Sequence, residues 1–232
     1  MKIEIWSDVV CPWCFVGKRN FEKALADFEH ADQLEITWRS YELDPHGPPI
    51  REGTYAERVA RKYGMEVGQA RAAMARIINV GAEAGIEFKF DVMQPGNTFN
   101  AHRLLHLAAR RGKQNELKEA LFVATFSDAL AIGTPEVLEE VAVSVGLDRD
   151  EVREVLDGEL FGDEVRVDER VAQSIGITGV PFFLVDDAYG IPGAQDPSVY
   201  LNILERAWGE THRHIEIVAS AGDACDDDVC DI

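Results

Sequence analysis

The 232-residue chain predicts an α/β fold interrupted by an all-helical insertion domain, and three observations carry that reading. Strand-like segments fall only within the first fifty residues and between Val180 and Ile191. Helical periodicity fills most of the stretch between them. A Cys-Pro-Trp-Cys motif, Cys11 to Cys14, sits where the first strand hands over to the first helix. Helices placed inside one α/β unit, with sheet elements on both sides, read as an insertion rather than a second tandem domain. At 46% apolar residues the chain has the composition of an ordinary globular protein, with enough length for one substantial core or two smaller ones.

Taken in order, Ile3–Trp6 alternates apolar and charged residues as a strand does. From Phe15, the positions Phe15, Val16, Phe21, Leu25 and Phe28 fit one helical face, with Lys18, Arg19, Glu22 and Lys23 on the polar side. Leu34–Tyr41 alternates again, and the turn cluster from Asp44 to Pro49 closes it. Helical spacing then recurs over Tyr55–Tyr63, Val67–Ala84, Phe99–Arg111, Glu116–Ala131, Glu136–Val145, Glu151–Leu156 and Glu164–Ile175. Thr134-Pro135 and the Asp148…Glu151 capping box mark starts; Gly64, Gly112, Gly133, Gly146 and Gly176 mark stops. Val180–Asp186 is strand-like, Ala188–Ile191 is its hairpin partner across Asp186-Asp187, and Ser198–Trp208 is a last helix behind Asp196-Pro197. The predicted division is therefore 1–50 (β-α-β), 51–177 (helical insertion), 178–209 (β-β-α) and 210–232, an acidic tail with a second cysteine pair. There is no internal repeat.

The chemistry is concentrated at the motif. Its position puts Cys11 at a helix N-terminus, where unpaired N–H groups and the macrodipole favour a thiolate over a thiol. Pro12 suits the first turn, where its missing N–H is no loss. Cys14 lies three residues on, on the same face and within reach of a disulfide to Cys11. A zinc site would need about four ligands, and the other cysteines are more than two hundred residues away. Redox chemistry is favoured over a metal site or two structural thiols. No cation stands beside Cys11 in the motif, and Lys18 and Arg19 fall in the wrong turn, so a moderately reducing to intermediate couple is expected.

With 23 Lys+Arg against 42 Asp+Glu, the formal charge is −19, which repels nucleic-acid phosphates and anionic membranes. No apolar run approaches the length of a membrane span. The first strand begins at residue 2 with no leader-like segment, which predicts a cytoplasmic protein if the chain is complete. In that compartment cysteines are more often catalytic or redox-sensing than structural.

His102 and His106 are four apart on one predicted helix, a spacing compatible with a metal, but no Glu follows His102 as zinc proteases require. A packed pair is the simpler expectation. No metal and no cofactor are expected.

Trp6-Ser-Asp-x-x-Cys-Pro-Trp-Cys14, Gly176-Ile-Thr-Gly-Val-Pro-Phe-Phe183 and Gly193-Ala-Gln195 together resemble the DsbA-like thioredoxin-fold oxidoreductases of the FrnE type, over essentially residues 1–209. The resemblance implies a thioredoxin-like fold with a helical insertion. It implies Cys11 as exposed nucleophile, Cys14 as the more buried resolving thiol, Pro12 and Trp13 as tuning residues, and Val180-Pro181 as a cis-proline segment facing the disulfide and the substrate. Residues Asn97 to Leu104 resemble a stretch that faces the active site in that family, which makes His102 a supporting or substrate-groove residue.

The tail pair, Cys225 and Cys230, lies among five aspartates from Asp223 to Asp231, whose charge raises thiol pKa values. An auxiliary redox pair exchanging with Cys11 is favoured over an acidic tail with structural cysteines, and over weak divalent-metal binding. The expected activity is dithiol–disulfide exchange, with isomerase activity in addition, on protein or peptide thiols and disulfides, with glutathione or a thioredoxin-type reductant as partner. Two rivals remain. One is a glutathione-dependent isomerase or transferase of the 2-hydroxychromene-2-carboxylate type, disfavoured by the second cysteine. The other is a holdase with a groove lined by Trp13, Phe15, Phe182 and Phe183, residues for which core packing is the simpler role.

Overall fold

Four strands make one mixed sheet in the order β2-β1-β3-β4, with β1 at Lys2–Ser7, β2 at Glu35–Ser40, β3 at Phe182–Val185 and β4 at Tyr189–Pro192. A computed structural model describes residues 1–211 of the chain. Within these residues the helices are α1 (Pro12–Asp27), α2 (Tyr55–Tyr63), α3 (Val67–Glu83), α4 (Phe99–Arg110), α5 (Gln114–Phe126), α6 (Pro135–Ser144), α7 (Arg149–Asp157), α8 (Gly162–Ser174) and α9 (Pro197–Thr211). Helices α2 to α8 thus run between β2 and β3. β2 pairs parallel to β1, from Lys2↔Glu35 to Ser7↔Ser40. β3 pairs antiparallel to β1's other edge, with Ile5 opposite Phe183, and β4 returns antiparallel from a turn in which Asp186 and Asp187 both adopt positive φ.

Alternation along β1 sends Ile3 and Ile5 to one face, where they meet Phe21, Ala24 and Phe28 of the first helical segment and Tyr200, Leu204 and Ala207 of α9. Trp6 points to the other face, packs with Ala172 and Ile177, and donates its indole N–H to the Asp168 carbonyl of α8 at 3.0 Å. The strand's charged position is not solvated as alternation suggests: Glu4 is buried and paired with Lys2 and Arg39. β1 is an interior strand covered on both faces, so its polar side chain has to be neutralised in place.

The helices build two further cores. One joins α4, α5, α6 and α7 around Leu104, Leu117, Leu121, Leu138 and Val152. The other joins Phe15 and Val16 of α1 to Met74 of α3, Phe88 and Phe90 of the following loop, and Phe122 and Phe126 of α5. Phe15 and Phe122 stack with centroids 4.9 Å apart. The helices between β2 and β3 therefore share a core with the helix that carries the cysteines.

Several local signals work differently from expectation. Gly133 is not a helix stop, because α5 ends at Phe126. It is a point of close approach, where an added Cβ would stand 2.0 Å from the Pro49 carbonyl oxygen. Thr134 donates its hydroxyl back to the Ala131 carbonyl at 2.9 Å instead of capping α6. Asp148 does cap α7, accepting from the N–H groups of Asp150 and Glu151, and Gly64, Gly112, Gly146 and Gly176 all take positive φ at helix ends.

Candidate active site

Cys11 is the N-cap of α1, in extended conformation, and Pro12 opens the helix. The Cys11 N–H donates to the Asp8 carbonyl at 3.1 Å, and its own carbonyl accepts from Cys14 N–H at 3.0 Å. This tight turn puts both sulfurs on the same side of the first helical turn. Both cysteines are free thiols. Cys14 is 0% exposed and Cys11 only 5%, so Cys11 is not the exposed nucleophile that the resemblance implied. Trp13, Leu43, Tyr55, Val180 and Ala194 pack on the cluster that holds it, and Tyr55, stacked on Phe90 at 5.0 Å, comes from α2.

The Val180–Pro181 peptide is cis, and the Val180 carbonyl stands 3.6 Å from the Cys11 sulfur. This segment is held from behind. The Pro181 carbonyl accepts from Gly193 N–H at 2.8 Å, and the Gln195 carbonyl accepts from the Asn20 side chain of α1 at 2.8 Å. Gly17 lets the proline lie directly on α1, since a Cβ there would sit 3.0 Å from Pro181 Cγ. The Gly193-Ala-Gln195 motif is thus the clamp that fixes Pro181 against the helix.

Behind the cysteines lies a buried polar layer. Ser7, at the end of β1, is fully buried; among the described residues its hydroxyl has no hydrogen-bond partner within normal distance, and it acts on the Cys14 thiol electrostatically. Burial, then the hydrogen bond with Cys11 and the charge of Cys11, push the Cys14 pKa well up, and the Ser7 hydroxyl and Lys118 partly offset this. Asp8 is buried and accepts from Leu43 N–H at 2.8 Å. Burial opposes its ionisation, but His102, the Leu43 N–H and the charge of Lys118 outweigh it and hold the pKa below the usual carboxylate range.

His102 is 0% exposed on α4, so it lines no substrate groove. Its Nε2 stands 3.5 Å from Asp8 Oδ1, longer than a good hydrogen bond. Burial lowers its pKa, and the neighbouring Asp8 carboxylate works against that shift. His106 turns instead to Asp168 Oδ2 at 3.2 Å and Ser40 Oγ at 3.1 Å, so the two histidines do not converge on one ion. Among the described residues, no three His, Cys, Asp or Glu side chains form a metal-ligand group.

Phe15 and Phe183 are core residues, and neither lines a surface groove. Cys225 and Cys230 lie outside the described residues. Three groups at the site were missed by sequence reasoning: Asp8, Lys118 and Tyr55. Asp8 lies within the Trp6–Cys14 motif, between strand and cysteine, and that place is its sequence signal. Lys118 and Tyr55 carry no local signal.

A family model described as a DSBA-like thioredoxin domain matches residues 2–205. The crystal structure of a probable DsbA oxidoreductase from Streptomyces coelicolor is 42% identical, covers 100% of this chain and 99% of its own, and superposes with a TM-score of 0.87. Among curated proteins, the uncharacterized protein YwbO of Bacillus subtilis (strain 168) is 29% identical over 200 residues, 85% of this chain and 92% of that protein. The cytosolic disulfide reductase DsbM from Pseudomonas aeruginosa, crystallised with GSH, is 14% identical over 89% of this chain and 98% of its own, with a TM-score of 0.63. That last likeness speaks to the fold alone.

Proposed function

This chain belongs to the DSBA-like thioredoxin domain family, and on that premise we propose that Cys11 and Cys14 form a redox dithiol exchanging disulfides with thiol substrates. The observation that carries the reading is the pairing of two free cysteines at the start of α1 with the Val180 carbonyl 3.6 Å from the Cys11 sulfur. Nothing about a structural disulfide calls for that carbonyl.

In the proposed cycle the Cys11 thiolate attacks one sulfur of a substrate disulfide. A Cys11–substrate bond forms, the substrate S–S bond breaks, and one substrate thiolate leaves. Cys14 then attacks the Cys11 sulfur, forming Cys11–Cys14 and releasing the second substrate thiol. Run in reverse, the same steps oxidise a dithiol. Cys14 suits the resolving role because burial keeps it a thiol until the mixed disulfide is beside it. The substrate class in this proposal is protein or peptide thiols and disulfides, with glutathione or a thioredoxin-type protein returning electrons. The buried Cys11 favours extended or small partners, which reach a recessed sulfur more readily than a flat protein surface. Disulfide isomerisation uses the same first step and belongs to the proposal, as does a cytoplasmic setting, which fractionation of the native host would check. A FrnE-type assignment and an exchange between the site and Cys225/Cys230 are further parts of it.

The test is a redox titration in glutathione buffers with mass-spectrometric assignment of each disulfide. Reversible formation of Cys11–Cys14, lost in Cys11→Ser, is the expected result. A pair that stays reduced across the whole range, with activity surviving Cys11→Ser, would overturn the proposal in favour of glutathione-assisted isomerisation or client binding.

A further inference from the structure

Arg71, Met74 and Ile78 follow one another at spacings of three and four along α3, so they share one face of that helix. Opposite them, the chain from Phe88 to Val92 alternates, with Phe88 and Phe90 buried and Lys89 and Asp91 exposed. Between the two lies a cavity of about 450 Å³, within the size range of small-molecule sites.

The floor of this cavity is aromatic and fixed in place. Met74, Phe88 and Phe90 are buried, and the two rings stack with centroids 5.0 Å apart. Phe90 is backed by Tyr55, and Phe88 meets Phe126 edge-on at 5.2 Å. A Cβ at Gly81 would clash with the Phe88 ring, so that ring also rests on the backbone of α3. Rings and a thioether suit a flat aromatic body. Apolar surface continues to the rim, where Ile78 is 40% exposed and Val92 60%.

Two cations complete the lining. Arg71 and Lys89 are exposed, and among the described residues neither side chain makes a hydrogen bond or an ion pair. Arg71 acts on Glu57 of α2 through charge alone, and Asp91 is the carboxylate in the lining. The lining thus carries two positive charges against one negative. A guanidinium offers a planar fork that matches a carboxylate.

We propose that this cavity binds a small aromatic carboxylate, with its rings over Met74, Phe88 and Phe90 and its anionic group at Arg71 and Lys89. Neither cysteine lines the cavity, and the inference stands independently of the dithiol reading. The overall charge of −19 opposes the approach of an anion, but salt confines that repulsion to about 8 Å at physiological strength. At contact the local cations decide.

The experiment titrates the full chain by calorimetry near pH 7 with 2-naphthoate and, separately, with 2-naphthamide, a neutral probe of similar shape. Naphthoate is expected to bind saturably at a single site, and about tenfold more tightly than the amide. An exposed ion pair is worth up to about fivefold in affinity, so Arg71→Gln and Lys89→Gln should each weaken naphthoate by roughly two- to fivefold and leave the amide unchanged. Placement is read by NMR on protein labelled with ¹³C at the methionine methyls, with Met74→Leu assigning the resonance. The Met74 signal should shift on binding, as a ring comes to lie over it. No saturable binding, equal affinity for the two probes, charge variants that bind like the wild type, or an unmoved Met74 signal at saturation would each overturn the inference. Naphthoate affinity that falls as the protein concentration rises would give this face to a second copy of the chain, and would overturn it as well.

Discussion

The two walls of the site are built on different physical terms. The sheet-side wall consists of the β1–α1 turn, the Val180–Pro181 segment and the Gly193–Gln195 clamp, and it is made of backbone. Its contacts are the Cys11 N–H to Asp8, the Val180 carbonyl at the sulfur and the Gly193 N–H to Pro181. The helix-side wall is made of side chains sent in from far along the chain: Tyr55 from α2, His102 from α4, and Lys118 and Phe122 from α5. Backbone geometry leaves a mark on sequence because it needs Pro, Gly and Cys at fixed spacings. A side chain arriving from a hundred residues away leaves none.

The sharpest way to break this comparison is to remove one residue from each wall. Cys11→Ser should reduce disulfide exchange to background, measured as thionitrobenzoate release from the free reagent. Activity retained in that variant would place the nucleophile elsewhere and make the helix-side wall the reactive one. On the helix side, Phe122→Ala should cost about 3–5 kcal/mol, because Phe122 is fully buried and stacked on Phe15. Phe21→Ala on the sheet side, where Phe21 meets Phe183 and Tyr200, should cost a similar amount. Denaturant unfolding followed at several probes should stay a single transition in both variants, since α1 contributes to both cores. Two separate transitions would mean that the helices fold as an independent unit.

A smaller effect is expected at Gly133→Ala. Its Cβ would need to displace the Pro49 carbonyl, and a loss of about 1–3 kcal/mol follows from such overpacking, read as a drop in denaturation midpoint. Unchanged stability would show that the Pro49 loop is free to move.

The smallest effect concerns Glu42, at the exit of β2. Burial raises its pKa to about 7, while Arg166 of α8 works in the opposite direction. The native state holds this proton between about pH 4.5 and 7 and the unfolded chain does not, so stability from this group falls as pH rises through that window. Glu42→Gln should flatten the dependence and add on the order of 1 kcal/mol above pH 7, measured by urea denaturation at several pH values. A steeper dependence in the variant would reverse the sign assigned here.

Much of the fold was legible in the sequence. Tyr55–Tyr63 is a helix at the predicted residues, because an amphipathic pattern ended by a glycine suffices to specify one. The β-α-β and β-β-α segments at the two ends were likewise readable from alternation and from turn residues such as Asp186-Asp187. The errors cluster where tertiary contacts override local pattern. Gly133 resembled a stop and is a contact, and the predicted helix Glu116–Ala131 ends five residues early, as the chain turns through Ala129 at positive φ.

By itself the sequence determined where the cysteine pair sits, since a Cys-x-x-Cys pair between strand and helix specifies both the spacing of the sulfurs and the helix end they occupy. The resemblance carried by Gly176–Phe183 added the expectation of a cis proline there, and the Val180–Pro181 peptide is cis. Only the tertiary structure decided how accessible Cys11 is and which charges surround Cys14. Those depend on α2, α4 and α5 packing against α1, and packing is set by the shapes of Phe15, Phe88, Phe122 and Phe126 fitting together. The electrostatic field at a buried sulfur falls off with distance in space, and distance along the chain says nothing about it.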